Sequence, residues 1–380
     1  MTDVLQFCER ERAWLVDAIV ALVASESPSD DREALEACAR VLSGQLEASG
    51  AAVSRVAAGM TADHVLAEWP GRGAPVLLLG HFDTVWPVGQ IARMPIREEA
   101  GRLYGPGVFD MKAGLGIAVL AARALAASAP VAARPRLRLL ATSDEEVGSG
   151  TSRTAIERLA RESSAVLVLE PSLPGGAVKT ARKGVGAYEI VVLGVASHAG
   201  VDPAAGASAV SELVRQIAAI EAWSDPARGR SVNVGVIEGG TRPNVVPDRA
   251  RALVDVRVAR LSDADEVARA FSRLRPADPR VRVRVSGGIN RPPMERTEGV
   301  ARLYDLARST ARDLGFSLGE GATGGGSDGN FTAAAGVPTL DGLGAVGEGP
   351  HAIHEHIVVS ALPGRAALLA GLLSRLAGMG

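Results

Sequence analysis

The segment VLLLGHFDTV, residues 76–85, decides the fold class of this 380-residue chain. Residues 76–80 form a short apolar run, and His81 and Asp83 follow it directly. A run of this length that is bounded by polar residues is typical of a strand buried on both faces. In open α/β sheets, ligands bind at the carboxyl ends of the strands. The segment therefore predicts a buried strand whose carboxyl end carries a functional site.

Short apolar runs alternate with helical patterns on both sides of this segment. LRLLAT (137–142) and AVLVLE (165–170) are further candidate strands. Apolar residues at helical spacing predict helices over about 10–25, 32–48, 111–127 and 151–161. Alternation of this kind predicts an α/β fold with a mostly parallel sheet flanked by helices.

The strand pattern changes near Lys183, where AYEIVVLG, SVNVGVIEG, ARALVDVRV and VRVRVSG alternate apolar with polar residues. Such alternation is typical of a sheet with one solvated face. We therefore predict a catalytic domain in two parts, residues 1–180 and 293–380, with an inserted α+β dimerisation or lid domain over residues 181–292. An open sheet has edge strands that can pair with a second copy, which predicts a homodimer.

Composition and charge exclude several classes of protein. Apolar residues make up 47% and charged residues 22%, with a formal net charge of −2 and no block of like charge. This argues against a nucleic-acid or anionic-membrane partner. Cys8 and Cys38 form no metal-binding or disulfide pattern. The first residues do not resemble a signal peptide, and no apolar run is long enough to span a membrane, so a cytoplasmic location is predicted.

Acids and histidines follow the predicted strands or lie in glycine-rich loops. The candidate metal ligands are His81, Asp110, Glu146, Glu170 and His351. A cluster of histidines and carboxylates without cysteine suits Zn²⁺, with Co²⁺ or Mn²⁺ as substitutes. Five ligands on five segments favour two metals that share one bridging carboxylate. His354 and His356 are expected to be solvated or locally hydrogen-bonded.

The order of the motifs resembles one family. The blocks are GHFDTV (80–85), YGPGVFDMKAG (104–114), TSDEEVGS (142–149), LEP (169–171), ASHAG (196–200), RPNVVPD (242–248), INRPPM (289–294), TGGGSDGN (323–330) and GPHAIHE (349–355). Together they resemble the aminoacylase-type di-zinc metallopeptidases, and among these the glutamate carboxypeptidase branch. Each residue taken alone also fits an ordinary structural role, and the shared order of the blocks is what favours the metal site.

The resemblance implies a role for each candidate ligand. Asp110 would bridge the two zinc ions, with a cis peptide bond to Met111. His81 and Glu170 would bind one zinc, and Glu146 and His351 would bind the other.

The resemblance also implies the residues that act beside the metals. Glu145 would be the general base, and Asp83 would accept the second N–H of His81 and fix its tautomer. His198 would stabilise the oxyanion, acting across the dimer interface. Arg291 and Asn244 would hold the carboxylate and carbonyl of the substrate.

These assignments predict a hydrolase that cuts the C-terminal amide bond of a small N-acyl amino acid or peptide with a free carboxylate. The runner-up is an aminoacylase, a dipeptidase or an N-acetyl-amino-acid deacetylase, because these enzymes share nearly all the motifs. Met111 replaces an acid that is common in close carboxypeptidase relatives. An inactive metal-binding scaffold is a further alternative. A dehydrogenase is disfavoured because GLGAVG (342–347) has no acidic residue about 20 positions later.

Overall fold

A computed structural model of the protein describes residues 2–378. Its contacts divide the chain into two units. The first runs up to Ala181 and includes Arg296–Ala322 and the chain from Ser327 onward; the second comprises Arg182–Glu295 and Thr323–Gly326.

The α-helices over these residues are α1 (Thr2–Arg10), α2 (Arg12–Ala24), α3 (Arg32–Ala48), α4 (Ala113–Ser128), α5 (Arg153–Arg161), α6 (Ala209–Glu221), α7 (Leu261–Ser272), α8 (Glu298–Asp313), α9 (Gly329–Ala334) and α10 (Leu362–Ala377). The strands are β1 (Ala52–Val56), β2 (His64–Trp69), β3 (Arg72–His81), β4 (Arg97–Glu99), β5 (Arg102–Tyr104), β6 (Pro135–Thr142), β7 (Ala165–Val168), β8 (Val178–Arg182), β9 (Gly184–Leu193), β10 (Ser231–Gly239), β11 (Arg249–Val258), β12 (Arg282–Arg291), β13 (Glu320–Thr323), β14 (Thr339–Leu340), β15 (Gly347–Glu348) and β16 (His356–Val358).

The main sheet of the first unit has the strand order β1-β2-β6-β3-β7-β14. Strands β6, β3, β7 and β14 are parallel to one another, whereas β2 pairs antiparallel with both β1 and β6. The predicted α/β fold is confirmed. The antiparallel end of the sheet differs from a purely parallel arrangement because the short links between β1, β2 and β3 contain no crossover helix, which parallel strands need.

Strand β3 is apolar on both faces because helices cover both sides of the sheet. Leu77 and Leu79 pack in a cluster with Ile156 of α5 and Phe331 of α9. Leu78 belongs to the larger core that includes α4 and α10. Full burial of each leucine contributes about 1.5–3 kcal/mol. This packing fixes the position of the carboxyl end of β3, where His81 lies.

A small second sheet in the first unit has the order β15-β16-β5-β4. The loop that contains Asp110 follows β5, and the turn that contains His351 lies between β15 and β16. One small sheet therefore carries two of the candidate ligand segments.

The second unit contains an antiparallel sheet of order β10-β11-β9-β12. Helices α6 and α7 pack on one face, where Ile190, Val254 and Phe271 contribute to a separate core. Buried and partly exposed residues alternate along β11, as a sheet with one covered face requires. Strands β10 and β12 are its edges. Among the described residues, no helix is long and apolar enough to cross a membrane.

Candidate metal centre

The carboxylate of Asp110 lies between two histidines in the first unit. Its Oδ1 is 3.3 Å from Nε2 of His81, and its Oδ2 is 3.6 Å from Nε2 of His351. Each oxygen therefore faces a different imidazole. This is the arrangement that a bridging carboxylate needs.

Each imidazole has a second carboxylate beside it. Oε1 of Glu170 lies 3.5 Å from Nε2 of His81, and Oε2 of Glu146 lies 3.2 Å from Nε2 of His351. Side-chain atoms of His81, Asp110 and Glu146 also lie within 4.8 Å of one another. The structure thus brings all five sequence-predicted ligands together, in two groups that share Asp110.

The donor set and its spacing fit two divalent ions. In a tetrahedral zinc site with bonds of 2.0–2.2 Å, neighbouring ligand atoms lie about 3.3–3.6 Å apart. Three of the separations between imidazole and carboxylate atoms, at 3.3, 3.5 and 3.6 Å, lie in that range, and the fourth, at 3.2 Å, is slightly shorter. Imidazole nitrogen and carboxylate oxygen are ligands that Zn²⁺, Co²⁺ and Mn²⁺ accept.

Glycines allow the backbone to approach Glu170 closely. A Cβ atom on Gly114 or on Gly344 would overlap the carbonyl oxygen of Leu169. The N–H of Gly344 donates to the carbonyl oxygen of Glu170 at 2.9 Å. Glu170 is therefore held between helix α4 and the segment that follows β14.

The tautomer of His81 is set through its Nδ1 atom. Nδ1 lies 2.9 Å from the carbonyl oxygen of Asp83 and 3.3 Å from its Oδ1 atom. The acceptor nearest to the imidazole is thus the Asp83 main chain rather than the carboxylate named by the sequence analysis. Both contacts place the proton on Nδ1 and leave Nε2 available as a ligand.

The Asp83 carboxylate also holds the acidic turn after β6. It accepts hydrogen bonds from the N–H of Glu145 at 3.2 Å and from the N–H of Glu146 at 3.1 Å. The hydroxyl of Ser29 donates to it at 2.7 Å. Asp83 is fully buried, so it fixes the backbone of two site residues as well as contacting His81.

The protonation equilibria of the histidines reflect the surrounding acids. Burial by itself would lower the pKa of His81, but hydrogen bonds to Asp110, Asp83 and Glu170 outweigh it and raise the pKa well above its ordinary value. The hydrogen bond to Glu146 raises the pKa of His351 to about 9. Burial raises the pKa of Glu146, with repulsion from Asp110 adding to the effect. The clustered carboxylates thus favour positive charge at this site.

His351 has a backbone φ of 61°, in the left-handed region that non-glycine residues rarely adopt. Such conformations cost free energy and cluster at functional sites. The Asp110–Met111 peptide bond is cis, as the family resemblance implied.

Glu355 was given no role by the sequence analysis. Its carboxylate is buried and accepts hydrogen bonds from the N–H groups of Gly107, Phe109 and Asp110 at 2.9, 2.9 and 3.0 Å. The indole N–H of Trp86 donates to it at 3.0 Å. Glu355 therefore links the His351 turn to the Asp110 loop and to the segment after Asp83. The only signal in the sequence was its spacing of four residues from His351.

His64 and Asp144 form a second buried network near the acidic turn. Nδ1 of His64 accepts the N–H of Ser143 at 3.2 Å, and Nε2 lies 3.3 Å from the Thr151 hydroxyl. That hydroxyl donates to Asp144 at 2.7 Å. Burial lowers the pKa of His64, which favours the neutral imidazole that accepts at Nδ1.

Three predicted site residues lie in the second unit. The exposed His198 accepts the N–H groups of Gly200 and Val201 at its Nδ1, each at 3.2 Å. The N–H of Ala199 donates to the carbonyl oxygen of Asn244 at 2.9 Å, so the His198 and Asn244 loops are neighbours. Arg291 ends β12 and is 8% exposed. Their roles toward substrate stay predictions.

Two minor predictions can be compared with the structure. His354 is exposed, whereas His356 is buried and packs against Tyr104, with Nδ1 3.0 Å from the carbonyl oxygen of His354. Local hydrogen bonding is correct for His356, and solvation is not. The glycine-rich segment 342–347 runs into β15 and not into a helix, so it lacks the strand–turn–helix context of a dinucleotide site.

Comparison with known proteins identifies the family. The model of Peptidase family M20/M25/M40 matches residues 77–375. Carboxypeptidase G2 from Pseudomonas sp. (strain RS-16) is 31% identical over 375 residues, which cover 96% of this chain and 89% of that protein. Succinyl-diaminopimelate desuccinylase from Xanthomonas oryzae pv. oryzae (strain PXO99A) is 31% identical over 381 residues, which cover 93% of this chain and 96% of that protein.

A solved structure gives the same result for the fold. The YxeP protein of Bacillus subtilis, a dinuclear metal-binding peptidase of the M20 family, superposes with a TM-score of 0.70 at 17% identity, covering 97% of this chain and 99% of YxeP. The match of the family model and the identity to carboxypeptidase G2 agree with the order of the motifs and with the clustered ligands. The chain belongs to Peptidase family M20/M25/M40, a family of metallopeptidases and amidohydrolases.

Proposed function

We propose that this member of the family is a di-zinc hydrolase that cleaves the C-terminal amide bond of a small N-acyl amino acid or peptide. The observation that carries the proposal is the Asp110 carboxylate, whose two oxygens face His81 and His351 separately. The dinuclear centre of YxeP supports the metal count. The name of carboxypeptidase G2 supports cleavage at a C-terminal residue.

Glu145 is the proposed general base. It precedes the ligand Glu146, and its N–H is anchored on Asp83. Glu145 takes a proton from the attacking water and later returns it to the leaving amine nitrogen, a role worth about 10²–10⁴-fold in rate. When bound, the two divalent ions acidify the water and polarise the scissile carbonyl.

His198 is the proposed donor to the oxygen that becomes negative during the reaction. Because its Nδ1 accepts two backbone N–H groups, the neutral imidazole carries its proton on Nε2. Nε2 is then a hydrogen-bond donor, as stabilisation of an oxyanion requires. In the proposed homodimer, this histidine acts on the site of the partner chain.

Arg291 and Asn244 are the proposed contacts to the substrate carboxylate and carbonyl. A guanidinium can bind a carboxylate through two parallel hydrogen bonds, which selects substrates with a free C-terminal carboxylate. Gly326 leaves room for the Arg291 side chain, since a Cβ atom at that position would lie 3.0 Å from the Arg291 Cδ atom and 2.8 Å from Val185.

A second candidate is an amidase that removes the acyl group from an N-acyl amino acid. The desuccinylase relative supports it, since its name states removal of a succinyl group from succinyl-diaminopimelate. The two candidates share the amide bond and the site, and they differ in which half of the substrate is selected.

The test compares Glu145→Gln, Glu146→Gln and Arg291→Lys on paired substrates that carry a free or an amidated C-terminal carboxylate. We expect Glu145→Gln to keep both metals and lose at least about 100-fold in kcat, and Glu146→Gln to lose metal. Arg291→Lys is expected to raise KM for the acid only. Exposed Glu98→Gln is the matched control. Full turnover by Glu145→Gln, or equal wild-type turnover of acid and amide, would contradict the proposal.

A further inference from the structure

The turn that carries Glu145 and Glu146 is closed by its own backbone. The N–H of Ser149 donates to the carbonyl oxygen of Asp144 at 2.8 Å, and the N–H of Gly148 donates to that of Glu145 at 3.0 Å. Ser149 closes the turn with a φ of 60°, in the left-handed region. A serine in this conformation costs free energy that a glycine would avoid. The side chain of Ser149 is therefore expected to serve a purpose that glycine cannot.

Ser149 is tied to a carboxylate from a distant part of the chain. Its hydroxyl donates to Oδ1 of Asp328, and the hydroxyl of Thr142 donates to Oδ2 of Asp328 at 3.2 Å. Thr142 ends β6 and Ser149 closes the turn that follows, so one carboxylate holds both ends of the segment. All three residues are at most 3% exposed.

A buried carboxylate stabilises a loop only after a large unfavourable free energy of desolvation has been offset. Burial of a charge is strongly unfavourable unless hydrogen bonds compensate for it, and apolar residues of similar volume often stabilise as well or better. Two hydrogen bonds to a fixed carboxylate instead give the loop a defined geometry. Here that geometry applies to the six residues that lie between Thr142 and Ser149 and include Glu145.

We infer that Asp328 and Ser149 are positioning residues for the general base, and that their hydrogen bond fixes the direction in which Glu145 presents its carboxylate. This inference rests on the proposed function of Glu145. Neither residue is assigned contact with the substrate. The pair acts through the backbone of the turn, in the way that Asp83 acts through the N–H groups of Glu145 and Glu146.

The test measures kcat, KM and bound metal for Ser149→Ala, Ser149→Gly, Asp328→Asn and the double variant Ser149→Ala with Asp328→Asn. We expect kcat to fall roughly 10-fold or more in each, since small misplacements cost up to about 10²-fold. KM and metal content should stay within about twofold of wild type. Ser149→Ala removes the donor, and Asp328→Asn leaves one acceptor oxygen for the hydroxyls of Ser149 and Thr142. The double variant should therefore lose no more than the worse single variant, because both substitutions disrupt the same contact.

Ser149→Gly separates the hydroxyl from the backbone conformation, because glycine accepts the positive φ without cost. We expect it to be more stable than Ser149→Ala and equally slow. Ser163→Ala is the control, since its hydroxyl donates at 2.7 Å to the carbonyl oxygen of Leu159 and not to the turn. Should Asp328→Asn fail to fold, the two Ser149 variants decide the question.

Three results would overturn the inference: wild-type kcat in Ser149→Ala, recovery of kcat in Ser149→Gly, or loss of metal in either. If Glu145→Gln is inactive while the Ser149 variants are fully active, the positioning role fails and the proposed function stands. If Glu145→Gln is active, Glu145 is not the general base, and the positioning role, which rests on that assignment, fails with it.

Discussion

Replacement of Glu355 by alanine tests how the Asp110 loop is held. The change removes the acceptor of four N–H groups, those of Gly107, Phe109, Asp110 and the Trp86 indole. Hydrogen bonds to charged groups are worth about 1.5–3 kcal/mol each, but their losses do not add, since water enters the space that is left. Breaking a buried network of this kind costs about 3–5 kcal/mol.

The same change is expected to weaken metal binding. Asp110 is the proposed bridging ligand, and its N–H donates to Glu355 at 3.0 Å. Loss of such an outer contact lowers metal affinity about 10–100-fold. At roughly 2–4 °C per kcal/mol for a domain of this size, the melting temperature should fall by about 6–20 °C.

The assay is thermal unfolding with and without added zinc, together with zinc retention against a chelator. Burial raises the pKa of Glu355, so the site tolerates loss of the charge better than loss of the acceptor, and Glu355→Gln should be milder than Glu355→Ala. Glu348→Ala, on β15 of the same small sheet and exposed, is the control and should change stability by less than about 0.5 kcal/mol. Equal Tm and equal zinc retention for Glu355→Ala and Glu348→Ala would refute the reasoning.

Three further results are expected. Tyr188→Phe should leave Tm unchanged or raise it, because the Tyr188 hydroxyl is buried and has no hydrogen-bond partner among the described residues. The ring stacks on Phe271 at 3.8 Å, a contact that phenylalanine keeps. A loss of stability above about 1 kcal/mol would contradict this. Burial raises the pKa of the Cys8 thiol from 9.0 to about 12. A thiol reagent at pH 8 should therefore label Cys8 only after unfolding, and rapid labelling of the folded protein would count against this. The stability that the thiol contributes below pH 9 should be lost as the pH rises toward 12. In the proposed homodimer, inactive Glu145→Ala and His198→Ala chains that are mixed and allowed to exchange should recover about a quarter of wild-type activity, since half of the dimers then hold one intact site. No recovery after verified exchange would place His198 in its own chain or outside catalysis.

The sequence was sufficient to predict that the candidate ligands lie close together, because the carboxyl ends of neighbouring parallel strands meet at one edge of a sheet. His81 ends β3, and Glu146 and Glu170 follow β6 and β7, so an apolar run followed by an acid or a histidine was an adequate guide. Asp110 and His351 lie in segments that connect to the small sheet and not at the ends of the main strands, so the order of the motifs was needed to predict them.

The sequence was insufficient where contacts depend on how loops pack. Glu355 and Asp328 each join segments more than 170 residues apart, and no local pattern specifies such pairings. The Asp83 carboxylate was predicted to accept from His81, but the carbonyl oxygen of Asp83 lies closer, since the carboxylate also accepts from Glu145 and Glu146. Buried acids that accept hydrogen bonds from distant segments are thus the feature that sequence analysis missed.

The central claim is that two ions share Asp110, and anomalous scattering from crystals of the zinc-loaded protein tests it most directly. We expect two peaks about 3.5–4 Å apart, one beside His81 and Glu170 and the other beside Glu146 and His351, with one oxygen of Asp110 facing each. A single peak at full occupancy from fully active protein, or two peaks without Asp110 between them, would contradict the claim.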